Sequence, residues 1–141
     1  ATFLLFCLML MPVVAYSEDM VVIANPQSGI VSLSREEVIN IFLGRYRQLS
    51  SGISAQPVDS PATHPDKARF YHLLVSKDLA EINAYWSRLI FSGRTTPPRA
   101  AKSEEELLNI VRKTPGAIGY VSRSKADSGV ILVYELGSEE K

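Results

Sequence analysis

Met20-Val21-Val22-Ile23-Ala24-Asn25-Pro26 is the stretch of the sequence that decides the fold. A compact run of apolar, mostly β-branched residues that ends at a turn-forming pair is typical of a buried strand. Ser34-Arg35-Glu36-Glu37 follows and predicts a capping box, in which a serine side chain and a glutamate satisfy the first N–H groups of a helix. The sequence therefore predicts a buried strand that leads into a capped helix.

The same alternation continues towards the C-terminus. Thr63, Asp78 and Ser103 are polar residues that favour helix starts, and each precedes a stretch with helical apolar periodicity. The further predicted strands are residues 55–58, 117–121 and 130–136. Strands that alternate with capped helices predict an α/β fold with a mainly parallel sheet and flanking helices.

The N-terminal segment predicts export. Residues 1–15 form a nearly continuous apolar run without charge, shorter than the about 20 residues that a membrane-spanning helix needs. The run ends in Ala15-Tyr16-Ser17, which has small residues where a signal peptidase cleaves. We therefore predict a signal peptide at residues 1–17 and one periplasmic domain at residues 18–141, with no membrane insertion after cleavage. An uncleaved N-terminal anchor is the alternative.

The composition narrows the classes of function. Lys and Arg total 15 and so do Asp and Glu, which argues against nucleic-acid binding. Cys7 is the only cysteine and lies in the signal peptide, so the mature domain has no thiol for catalysis, disulfides or metal binding. His64 and His72 do not have the spacing of zinc ligands, and no Gly-x-Ser-x-Gly motif occurs. The sequence predicts no catalytic residue, no metal site and no cofactor.

Two loops are candidates for ligand binding. Ligands of open α/β sheets bind beyond the carboxyl ends of strands, where helix N-termini carry partial positive charge. Residues 25–32 and residues 59–66 are loops of this kind. Thr63 and Arg69 are possible anion donors, but a helix cap at Thr63 and an ion pair between Asp66 and Arg69 explain them more simply.

Two motifs resemble a known family. The strand that ends in Asn25, followed by a helix that ends in Ile41-Phe42-Leu43-Gly44, is similar to phosphate-binding proteins of ABC transporters. Pro115-Gly116-Ala117-Ile118-Gly119-Tyr120-Val121 resembles the return strand of that family. The resemblance implies a single lobe of a type II periplasmic-binding-protein-like fold, in a short form that lacks most of the first lobe. It also implies a transport function and a small oxyanion such as phosphate as the ligand.

The sequence departs from the family where the phosphate is held. The family uses an Arg and then Ser-Gly-Thr at a helix start, whereas this chain has Asp59-Ser60-Pro61-Ala62-Thr63-His64-Pro65-Asp66. An acid or a serine stands where the Arg would be, a proline cannot donate an N–H, and a second acid adds negative charge. The residues that we predict to bind a ligand are Asn25, Ser60, Thr63, His64 and Arg69.

We therefore expect a phosphate-type binding domain that is not an enzyme and that holds a small oxyanion weakly. A single lobe supplies only one wall of the hydrogen-bond donors that a buried anion requires. The alternative is a periplasmic interaction module that has lost ligand binding and contacts an envelope protein. A homodimer, in which two lobes face each other, is a further way to rebuild a cleft.

Overall fold

The structure is a computed structural model, and it describes residues 19–93, 95–127 and 129–137. The predicted signal peptide at residues 1–17 lies outside the described residues. Within them, no helix is long and apolar enough to span a membrane. The elements in chain order are β1 Met20–Ala24, α1 Arg35–Phe42, β2 Gln56–Asp59, α2 Pro65–Val75, α3 Leu79–Phe91, β3 Arg99–Ala100, α4 Glu104–Lys113, β4 Ala117–Ser122, a 3₁₀ turn Arg123–Lys125, and β5 Ile131–Gly137.

The described strands form one sheet in the order β3-β2-β4-β1-β5. β2 is parallel to both β3 and β4, whereas β1 is antiparallel to both of its neighbours, β4 and β5. Four strands therefore share one direction and β1 runs against them. The predicted α/β fold with flanking helices is confirmed. We call the edge of the sheet at which β2, β3, β4 and β5 end the carboxyl edge.

Helices cover both faces of the sheet, and β1 is therefore buried on both sides. Met20, Val22 and Ala24 pack into a core that also contains the buried residues of α1, α2 and α3. Val21 and Ile23 point the other way, into a second core that they share with α4. The continuous apolar run Met20–Ala24 thus reflects a strand with helices on both of its faces.

Local sequence chemistry sets the helix starts. The predicted capping box of α1 is present: the Ser34 hydroxyl accepts the N–H of Glu37, and the Glu37 carboxylate accepts the N–H of Ser34. Asp78 and Ser103 cap α3 and α4. The cap of α2 differs from the prediction, because His64 and not Thr63 is the N-cap. Pro65 occupies the first helical position, and the imidazole Nδ1 of His64 then accepts the N–H of Asp66 at 3.1 Å.

Candidate functional site

Helices α2 and α4, which pack on opposite faces of the sheet, begin side by side at the carboxyl edge. α2 follows β2, and α4 follows the neighbouring strand β3, so the parallel pairing of these strands brings both helix starts together. His64 Nε2 lies 3.4 Å from Glu104 Oε2 and joins the two helix starts across the edge. We call the surface where residues 60–66 meet Glu104 the α2–α4 crevice.

His64 lies between two carboxylates in this crevice. Its Nδ1 accepts the N–H of Asp66 and is 3.6 Å from Asp66 Oδ2. Because Nδ1 accepts a hydrogen bond, the neutral imidazole carries its proton on Nε2, the atom that faces Glu104. The histidine therefore connects the first turn of α2 with the first turn of α4.

A second polar cluster lies beneath the crevice, around the carboxylate of Asp59. Asp59 is only 5 % exposed, and its Oδ1 accepts hydrogen bonds from the hydroxyls of Tyr71, at 2.8 Å, and Tyr120, at 3.0 Å. Lys67 Nζ lies 3.9 Å from Asp59 Oδ2. The Tyr120 hydroxyl also accepts the N–H of Ser60 at 3.0 Å. The end of β2 is thus tied to both α2 and β4.

Burial sets the ionisation of this cluster. Burial raises the pKa of Asp59 above its ordinary value, and the Tyr71 hydrogen bond, the charge of Lys67 and the Tyr120 hydrogen bond offset only part of that rise. Burial and the nearby Asp59 charge both raise the pKa of Tyr71 and of Tyr120. Both tyrosines are therefore neutral hydrogen-bond donors at any physiological pH.

The structure brings some of the predicted ligand-binding residues together. Ser60, Thr63 and His64 lie in the loop that enters α2, and Arg69 lies in the second turn of that helix. Ser60 is 1 % exposed and its N–H already binds Tyr120, whereas Thr63 is exposed at the surface of the loop. Thr63 and His64 are thus the members of the set that border the crevice.

Asn25 lies at the opposite edge of the sheet from these residues. Its side-chain amide donates to the carbonyls of Val111, at 2.8 Å, and Arg112, at 3.0 Å, in the last turn of α4. The reason is the direction of β1, whose carboxyl end adjoins the start of β4. Asn25 therefore acts as a structural cap on α4, and the two loops suggested by the sequence do not form one site.

Sequence reasoning did not select Glu104 or the cluster of Asp59, Tyr71 and Tyr120. Glu104 has the local pattern of a first-turn acid that favours the helix dipole, and its contact with His64 depends on the pairing of β2 with β3. The sequence did contain a signal for the Asp59 cluster. Tyr120 lies in an apolar strand and is buried, and a buried tyrosine hydroxyl needs a hydrogen-bond partner.

A wide groove of about 820 Å³ lies at the edge of the sheet opposite the carboxyl edge, where β2 and β3 begin. Its lining includes Ile41, Tyr46, Pro57, Ile90 and Pro97. The groove is open, and its lining is more apolar than polar. It lies at the start of β2, on the other side of the sheet from the α2–α4 crevice, and contains none of the predicted ligand-binding residues.

Comparisons with solved structures reveal the same fold in phosphate-binding proteins. An ABC-type phosphate transport receptor from Vibrio cholerae superposes with a TM-score of 0.65 at 14% identity, over 82% of this chain and 45% of its own. A putative phosphate ABC transporter substrate-binding protein with bound phosphate from Clostridium perfringens gives 0.64 at 15% identity, over 82% and 44%. PstS from Borrelia burgdorferi gives 0.63 at 16% identity, over 82% and 46%.

These similarities show the fold. The chain spans less than half of the length of these solved structures. No protein-family model matches the sequence, and no curated protein matches it. At the level of the fold, the chain is therefore similar to one part of a phosphate ABC transporter substrate-binding protein.

Proposed function

We propose that this chain is a solute-binding lobe that takes a small oxyanion of the phosphate type at the α2–α4 crevice and has no chemistry of its own. The observation that carries the proposal is the convergence of two helix N-termini at one edge of a fold shared with phosphate-binding proteins. Each helix N-terminus presents the equivalent of about half a positive charge, together with N–H groups directed outward.

The charges around the crevice make the proposed binding weak. Asp59, Asp66 and Glu104 place three carboxylates near the position of an incoming anion, and Lys67 faces only the first of them. The N–H groups of Ser60 and Asp66 already donate within the chain. Few donors thus remain for an oxyanion, and we expect a dissociation constant of about 1 mM, which corresponds to about −4 kcal/mol.

The proposal includes export to the periplasm. It rests on the apolar run and the cleavage pattern at residues 1–17 and on the transport proteins that share the fold. A periplasmic lobe meets its solute outside the cytoplasmic membrane, where weak binding suffices if the solute is abundant.

Isothermal titration calorimetry with phosphate and with sulfate tests the binding. We expect saturable heat at millimolar anion, and loss of that heat in the double variant Thr63→Ala with Arg69→Ala, which removes a hydroxyl that borders the crevice and a positive charge in the second turn of α2. Thr96→Ala with Arg88→Ala is the matched control, because both residues are exposed and lie away from the crevice. Glu104→Gln removes a like charge from the crevice and should tighten phosphate binding several-fold. Absence of heat from a well-folded protein, or normal binding by the Thr63/Arg69 variant, would contradict the proposed site.

A further inference from the structure

We propose that His64, Asp66 and Glu104 form a site for a divalent transition-metal ion of the zinc class. The ligand atoms that these three side chains offer all lie within 4.8 Å of one another. They come from the N-cap of α2, the first turn of α2 and the first position of α4. An imidazole with carboxylates is a donor set that zinc and its neighbours in the first transition row accept.

The distance between the imidazole and Glu104 suits two ligands of one ion. Zinc binds histidine nitrogen and carboxylate oxygen at about 2.0 to 2.2 Å, so two ligands in a tetrahedral shell lie about 3.4 Å apart. His64 Nε2 and Glu104 Oε2 are 3.4 Å apart. These two side chains can therefore bind one ion with little movement, and water completes its coordination.

Asp66 is placed to orient the imidazole. When Nε2 binds an ion through its lone pair, the ring proton moves to Nδ1, which then faces Asp66 Oδ2 across 3.6 Å. A carboxylate that accepts from the other nitrogen of a metal-bound histidine fixes the ring and strengthens it as a ligand. Metal binding breaks the existing bond from the Asp66 N–H to Nδ1, and a small rotation of the Asp66 side chain that shortens the 3.6 Å separation would let its carboxylate accept the new Nδ1–H.

The state of Glu104 provides a separate indication of a cation. Its Oε1 atom is buried from solvent and has no hydrogen-bond partner among the described residues, although its side chain as a whole is 24% exposed. An unpaired carboxylate oxygen that is shielded from water is costly unless a cation or a donor reaches it. The nearby Lys67 is directed to Asp59, with its Nζ 3.9 Å from Asp59 Oδ2.

The proposed site differs from the pattern sought in the sequence. His64 and His72 lack the spacing of zinc ligands, and His72 has no part in this site. One histidine and two carboxylates meet because the β2–β3 pairing joins two helix starts, which spacing along the chain does not reveal.

Calorimetric titration of the tag-free protein with zinc chloride, in a buffer without phosphate, tests the proposal independently of oxyanion binding. We expect one saturable site per chain and a rise in the melting temperature with zinc, because an ion that binds only the folded state stabilises it. His64→Asn and Glu104→Gln should each weaken zinc binding about tenfold or more, in line with the loss of a ligand or its support. Asparagine is a favoured N-cap, so His64→Asn retains the start of α2.

Glu105→Gln and His72→Gln are the matched controls, because Glu105 is exposed in the same turn of α4 and His72 is the second histidine of the chain. Both should bind zinc like the wild type. The proposal is overturned if zinc and cobalt produce no saturable heat with the wild-type protein. It is also overturned if His64→Asn and Glu104→Gln, shown by circular dichroism to be folded, bind zinc as tightly as Glu105→Gln.

Discussion

Replacing Tyr120 by phenylalanine measures how strongly the buried carboxylate cluster holds β2 to the rest of the sheet. The Tyr120 hydroxyl donates to Asp59 at 3.0 Å and accepts the N–H of Ser60 at 3.0 Å. Its ring stacks on Phe70 with the centroids 3.8 Å apart and the planes at 5°. Tyr120→Phe keeps this stacking and removes both hydrogen bonds, so it isolates the contribution of the hydroxyl.

The expected loss of stability follows from the two bonds. A hydrogen bond to a charged group contributes about 1.5–3 kcal/mol, and a buried donor left without a partner costs about 1–3 kcal/mol. Ser60 is 1 % exposed, so water cannot readily replace the lost acceptor. We therefore expect Tyr120→Phe to lower the free energy of unfolding by about 3–5 kcal/mol.

Urea unfolding monitored by circular dichroism measures this free energy. Tyr85→Phe is the control, because the half-buried Tyr85 hydroxyl donates a single bond, to the neutral carbonyl of Leu43 at 2.6 Å. That variant should lose about 1 kcal/mol. If Tyr120→Phe is no less stable than Tyr85→Phe, the Asp59 cluster does not hold β2 as the geometry indicates.

Two further predictions concern the same elements. Burial raises the pKa of Asp59 above its ordinary value of 3.8, so the folded state holds the proton more tightly than the unfolded state. The free energy of unfolding of the wild type should then fall relative to Asp59→Asn as the pH rises from 3.8 through the raised pKa, and urea unfolding of both proteins across that range checks the sign. Asn25→Ala removes two hydrogen bonds to the last turn of α4 and the one that Asn25 Oδ1 accepts from the Gln27 N–H, and it should cost about 3 kcal/mol without changing phosphate binding. Loss of phosphate binding in a folded Asn25→Ala protein would show that Asn25 contributes to the ligand site after all.

The helices could be predicted because their signals are local. A serine or aspartate before an apolar stripe identifies an N-cap at Ser34, Asp78 and Ser103, and the structure places the caps there. The start of α2 is less regular, since histidine is not a common cap and the preceding threonine suggests a more familiar one. Pro65 fixes the first helical position, and this makes His64 the residue whose side chain reaches the N–H of Asp66.

The direction of β1 could not be predicted, and it decides where Asn25 lies. A run such as Val21-Val22-Ile23 indicates burial on both faces, but it contains no information on whether the neighbours run parallel or antiparallel. The predicted ligand set combined Asn25 with Thr63 because the ends of all strands were taken to share one edge. With β1 reversed, Asn25 caps the far end of α4. The contact of His64 with Glu104 was also not predicted, because it depends on the pairing of β2 with β3.

The pairing of Met20 with Gly137 determines where a segment joined to β1 or β5 would lie relative to the sheet. The first residue of β1 and the last residue of β5 are neighbours, and both lie at the carboxyl edge, where the α2–α4 crevice also lies. A polypeptide tethered through either strand starts at this edge of the sheet, with β4 between β1 and β2, and it can cover the crevice if its linker crosses β4. Such a tether gives the covering segment a high effective concentration there, which raises occupancy without any additional contact.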